Sequence, residues 1–75
     1  MTEAPHILVH RANQISRFFA TQPEGAAGVA QHLRLFWDPS MRAEIIAWRA
    51  AGGEGLETLA AEGVDLLGVA ATAAP

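Results

Sequence analysis

Apolar residues recur at steps of three and four along nearly the whole chain, and proline or glycine interrupts each run. That spacing follows the 3.6-residue turn of a helix rather than the two-residue repeat of a strand. Leu8, Ala12, Ile15 and Phe19 form one stripe, with Arg11, Asn13, Gln14 and Arg17 beside or opposite it. A second stripe takes Ala26, Val29 or Ala30, Leu33, and Phe36 or Trp37. A third takes Met41, Ile45 and Trp48, and a fourth Leu56, Leu59 or Ala60, Gly63 or Val64, and Leu67. No stretch alternates apolar and polar residues long enough to read as a strand. The pattern predicts an all-α domain, a small bundle of about four short helices with short connections between antiparallel neighbours.

Proline and glycine set the expected boundaries. Proline suits the first helical position, where its missing N–H is not needed. Pro5, Pro23 and Pro39 therefore predict helices over residues 5–21, over 23–36, and from Pro39 to the Gly52-Gly53 stop. The third start is the best signalled, because Asp38 is a good N-cap directly before proline. Proline also pushes Asp38 out of the helical region, so the chain must turn sharply there. Phe36 and Trp37 then sit on a corner, placed to wedge between the second and third helices. A fourth helix is expected over about 55–67, with Gly63 costing it about 1 kcal/mol relative to alanine. All 75 residues make one domain, with residues 1–4 and 69–75 expected to be flexible ends.

How such a bundle is held together is the next constraint. A chain this short buries only about 60–65% of its unfolded surface, so disulfides, metals or partners usually assist. The sequence has no cysteine. Disulfides, thiolate zinc sites, iron–sulfur ligation and cysteine nucleophiles are thereby excluded from this chain. Tight packing or a partner remains. An apolar content of 51% and a mean hydropathy of +0.17 are too high for a disordered chain. No apolar run is long enough to span a membrane. The stretch MTEAPHILVH carries Glu3 and no basic region before an apolar core, which argues against a signal peptide and for a cytoplasmic protein.

The net charge of −3 argues against nucleic acid as a main partner. The charges are unevenly placed. All five basic residues are arginines, Arg11, Arg17, Arg34, Arg42 and Arg49, and all precede residue 50. Only acids follow: Glu54, Glu57, Glu62 and Asp65. Arginine without lysine is the bias of protein interfaces, and it is equally the bias of an alanine- and arginine-rich composition.

Sites for chemistry are sparse. His6 and His10 stand four apart on the first helix, a metal-ligand spacing, but a site needs a third and usually a fourth donor. His32 and Glu3 are the available ones, and nothing in the pattern brings them there, so two solvated histidines near a helix start is the plainer interpretation. Gly52, Gly53 and Gly55 follow a helix rather than a strand and lack a phosphate-loop lysine. The acids after residue 50 have no pocket to desolvate them and suit a solvated helix face. No catalytic, cofactor-binding or metal-binding residue is expected. An acidic helix-turn-helix module remains an alternative, with Arg42 and Arg49 on its second helix, although Glu44 sits beside them.

Residues suited to a protein partner are easier to find. Asn13 and Gln14 place two amides mid-helix between arginines, able to bond another chain's backbone or to lie on an exposed polar face. Arg17 adds a charged contact. Phe18 and Phe19 point about 100° apart, so one can face the core and the other its edge. Aromatics beside arginines match the composition of interface hot spots. The expected partner-binding residues are Asn13, Gln14, Arg17, Phe18, Trp37, Met41 and Arg42.

The same stretches carry a likeness. RANQISRFF (residues 11–19), then Pro23, then HLRLFWDPSMR (residues 32–42) and GGEGL (residues 52–56) resemble the delta subunit of NAD-dependent formate dehydrogenases. The likeness spans residues 7–67, departing at Arg11, where a methionine is expected, and at Ser40, where a basic residue is expected. The resemblance implies a soluble bacterial complex in which a large catalytic subunit holds a bis-pterin molybdenum or tungsten centre and iron–sulfur clusters. Other subunits of that complex carry FMN and the NAD site. This chain would then be a small accessory subunit without a cofactor, stabilising a complex that oxidises formate to CO2 and reduces NAD+. The alternative within the same system is a transient maturation factor that aids cofactor insertion into the catalytic subunit.

Overall fold

The computed structural model describes residues 5–73. Four helices form, α1 (His6–Phe19), α2 (Ala26–Phe36), α3 (Pro39–Ala50) and α4 (Thr58–Ala73), with no strand among the described residues. The all-α expectation is met.

Only one of the three prolines is the first residue of a helix. Pro39 opens α3, and Asp38 caps it by accepting the Met41 N–H at 2.9 Å. Pro5 stands one residue before α1, its carbonyl accepting the Val9 N–H. Pro23 lies in a turn, three residues before α2. The reason is Gly25, whose φ of +55° is outside the helical region, so α2 cannot start before Ala26. At the other end of α3, Gly53 N–H bonds the Trp48 carbonyl and Gly52 N–H that of Arg49, both glycines having positive φ. These two crossed bonds are the glycine helix stop expected there.

Helix α4 differs from expectation at both ends. It starts at Thr58, because Gly53 and Gly55 turn the chain and Leu56 N–H bonds the Gly53 carbonyl at 3.0 Å. It continues to Ala73 because residues 69–73 contain no helix breaker and are mostly alanine, the best helix former. The expected flexible ends therefore fall partly on residues 69–73, which belong to α4, and partly on residues 1–4 and 74–75, which lie outside the described ones.

Helix α4 packs against the three other helices, most extensively against α2. The buried core takes Ala12 from α1; Val29, Ala30 and Leu33 from α2; Trp37 at the corner; Ile45 from α3; and Ala60, Val64 and Leu67 from α4. Gly63 explains the α2–α4 closeness: a Cβ there would lie 2.6 Å from Val29 Cβ and 3.4 Å from the Ala26 carbonyl oxygen. The glycine that weakens the helix locally is what lets it approach its main neighbour.

Candidate partner interface

The two motif-like stretches of the sequence are largely used inside the domain. In the α2–α3 corner, Trp37 is 7% exposed and joins the core, while Met41 is half-buried against it. Arg42 reaches back one turn, its Nη1 donating to the Trp37 and Arg34 carbonyls. Those carbonyls end α2 with no partner of their own, so Arg42 supplies a C-terminal cap. Asp38 caps α3 in the same few residues, and its carboxyl sits below the usual range because the Met41 N–H, then the Ser40 hydroxyl, favour the charged form. Trp37, Asp38, Met41 and Arg42 thus build a corner.

On α1, Asn13 and Arg17 hold the α3–α4 loop. Asn13 Nδ2 donates to the Gly55 carbonyl and its Oδ1 accepts the Glu57 N–H, each at 2.9 Å. Arg17 pairs with Glu57, its Nε donating to Oε2 at 3.1 Å. The Arg17 hydrogen bond holds the Glu57 carboxyl below its ordinary range. Arg49 pairs likewise with Asp65, Nε to Oδ1 at 2.9 Å, and lowers it. The two cations that a helix-turn-helix would direct outward from α3, Arg42 and Arg49, are therefore both engaged within the chain. Among the described residues, no three His, Asp or Glu come together where a metal could bind.

Five of the seven residues expected to bind a partner, Asn13, Arg17, Trp37, Met41 and Arg42, thus have work in this chain's own fold. The other two, Gln14 and Phe18, are solvent-exposed. They lie on a surface that also holds Leu35, which the sequence did not single out, and Phe36, which was expected to wedge with Trp37 between α2 and α3 but points outward because only Trp37 turns into the core. Phe18, Leu35 and Phe36 are 61%, 66% and 71% exposed. An aromatic row crosses from α1 to α2: Phe18 to Phe19 at 5.0 Å, Phe19 to His32 at 6.3 Å, and His32 to Phe36 at 4.7 Å between ring centres. Two adjoining open depressions of about 320 and 370 Å³ lie along it, both lined by Phe18, Phe19 and His32. Gly28 keeps the row tight, since a Cβ there would stand 2.5 Å from the Phe19 ring.

The signal for this face was present in the run Leu35-Phe36-Trp37. Three consecutive large apolar residues at a helix end span about 200° and cannot all face one core. Trp37, just past the last helical residue, turns inward with extended backbone, and Leu35 and Phe36 remain outside. An apolar patch of this kind marks an interaction site more often than a scattered exposed leucine does.

Comparison with known proteins bears on what that site serves. No curated protein and no solved structure matches the chain. No helix among the described residues is long and apolar enough to cross a membrane. A family model described as the NADH-dependent formate dehydrogenase delta subunit, FdsD, matches residues 7–64, which include α1 except its first residue, all of α2 and α3, and the first part of α4. Corner, loop clamp and aromatic face all lie within the matched span, and the chain belongs to the NADH-dependent formate dehydrogenase delta subunit family.

Proposed function

We propose that this chain is a non-catalytic accessory subunit that stabilises its formate dehydrogenase by docking through the aromatic α1–α2 face. The observation that carries this role is that Phe18, Leu35 and Phe36 stay exposed in a domain whose corner and loop contacts are otherwise closed. Formate oxidation to CO2 and NAD+ reduction belong, on this proposal, to the other subunits. The bis-pterin molybdenum or tungsten centre, the iron–sulfur clusters, FMN and the NAD site belong to them as well. A chain without cysteine has no thiolate to offer a cluster.

Gln14, Phe18, Leu35 and Phe36 are the proposed contact residues. The aromatic rings supply rigid area at low cost in side-chain entropy, as hot-spot residues do. Asn13, Arg17, Trp37, Met41 and Arg42 act indirectly, by fixing the helices that present the face.

The test is size-exclusion of the active enzyme together with its response to losing this chain. The proposed subunit stays at fixed stoichiometry through dilution. Enzyme lacking it starts at the same rate per metal centre and inactivates faster on warming. Active enzyme eluting free of the chain, with unchanged thermal inactivation, would instead identify a maturation factor that leaves once its work is done.

A further inference from the structure

The occupant of the α1–α2 groove can be specified further from the distribution of charge. Residues 5–36 hold three arginines and one acid, Glu24, whereas residues 43–69 hold one arginine and five acids. The domain is acidic overall, yet the half that carries the aromatic face is cationic. Within that half Arg17 is paired with Glu57. Arg11 and Arg34 have no acidic partner among the described residues. Ile7, Arg11, Gln14 and Phe18 recur at steps of four, three and four and are all exposed, so they form one outward stripe along α1. Arg11 therefore continues the line of the groove one to two turns beyond Gln14 and Phe18.

We infer that the groove receives an amphipathic helix of another subunit that bears carboxylates, with its apolar face against Phe18, Leu35 and Phe36 and an acidic side chain at Arg11. This rests on the subunit role proposed above and adds the chemistry of the partner. A helix fits better than a strand, because the rim offers the side chains of Gln14 and Gln31 but no free backbone edge to pair with. The stripe from Ile7 to Phe18 is about 16 Å long, room for three turns of a docked helix. Glu24 lines the other end of the groove, so the carboxylates of the docked helix belong at its Arg11 end. Three side chains about two-thirds exposed offer roughly 300–400 Å² of apolar area, the centre of an interface whose usual footprint is about 800 Å² per partner.

The experiment places a photoreactive benzophenone side chain at Gln14 and, separately, at Leu35, in the assembled complex, with Ala47 on α3 as the comparison site. All three positions are exposed, so the substitutions leave the core untouched. The expected result is that positions 14 and 35 cross-link to one helical, carboxylate-bearing segment of another subunit, and position 47 does not. Arg11→Glu should weaken retention of the chain at least about tenfold at low salt, with the difference shrinking as salt rises. Cross-links to a second copy of this chain, to a segment without carboxylates, or from position 47 alone would overturn the inference while leaving the subunit role standing. A chain absent from the purified complex altogether would overturn both.

Discussion

Asn13 and Gly55 are 42 positions apart in the chain and 2.9 Å apart in the fold, joined by the Asn13 amide N–H and the Gly55 carbonyl. With Oδ1 accepting from Glu57 N–H, one side chain fixes both sides of the turn that leads into α4. Asn13→Ala removes two bonds and leaves a partly buried N–H without its acceptor, a loss of about 1–3 kcal/mol. The melting temperature should fall by roughly 4–24 °C, as each kcal/mol shifts a domain of this size by about 4–8 °C. Gln14→Ala, one residue on and solvent-exposed, should leave it nearly unchanged. Equal effects of the two substitutions on thermal unfolding would remove Asn13 from its clamp role.

Gly63→Ala tests packing against propensity. Alanine gains about 1 kcal/mol in a helix interior. Here the added methyl would meet Val29, and crowding in a packed core costs about 1–3 kcal/mol. Helix α4 cannot retreat without opening its contact with α2, so the net effect should be destabilising, read as a lower urea midpoint. A higher midpoint would mean that the two helices are not held at this distance.

The adjacent aromatics Phe36 and Trp37 should behave oppositely. Trp37→Ala empties a core site and should cost about 3–5 kcal/mol, comparable with the whole stability of a domain of this size. Phe36→Ala removes a ring that is 71% exposed and should change stability by less than about 1 kcal/mol. Chemical denaturation of the two variants separates these outcomes. Similar losses would place both rings in the core.

Much of this was legible from the sequence, and what escaped has physical causes. The stripes through Ala12, Leu33, Ile45 and Val64 were readable because helical periodicity reports burial directly. The start of α3 was readable because Asp38 and Pro39 act on their immediate neighbours. Pro23 misled because Gly25, two residues later, takes a positive φ that ends the turn instead. The bonds that Asn13 and Arg17 make within the chain escaped because Gly55 and Glu57 lie at least 40 positions away, beyond any local pattern. The choice between Phe36 and Trp37 was open because the helical repeat stops between them. Arg42 as the cap of α2 was equally hidden, since it depends on the angle of the corner.

Acid should destabilise the fold. Hydrogen bonds from Arg17 and Arg49 hold Glu57 and Asp65 below the ordinary carboxylate range, and the Met41 N–H does so for Asp38. As pH falls through about 4, where free carboxylates titrate, the unfolded chain takes up protons before the folded one. The stability these groups contribute is therefore complete above that range and is lost as pH drops through their lower folded values. The urea midpoint should decline from pH 6 to pH 3, and Glu57→Gln should start lower and decline less. A flat profile for the wild-type chain would show that these carboxylates are equally free in both states.

The most direct measurement is the stoichiometry at which the Phe18→Ala/Phe36→Ala double variant co-purifies with the other formate dehydrogenase subunits, taken alongside its own thermal unfolding. Both rings lie on the exposed α1–α2 face. Docking through that face predicts a melting temperature within a few degrees of wild type and at least about tenfold less variant retained, since central aromatic anchors carry about 2 kcal/mol or more each. Full stoichiometric retention at an unchanged melting temperature would contradict it.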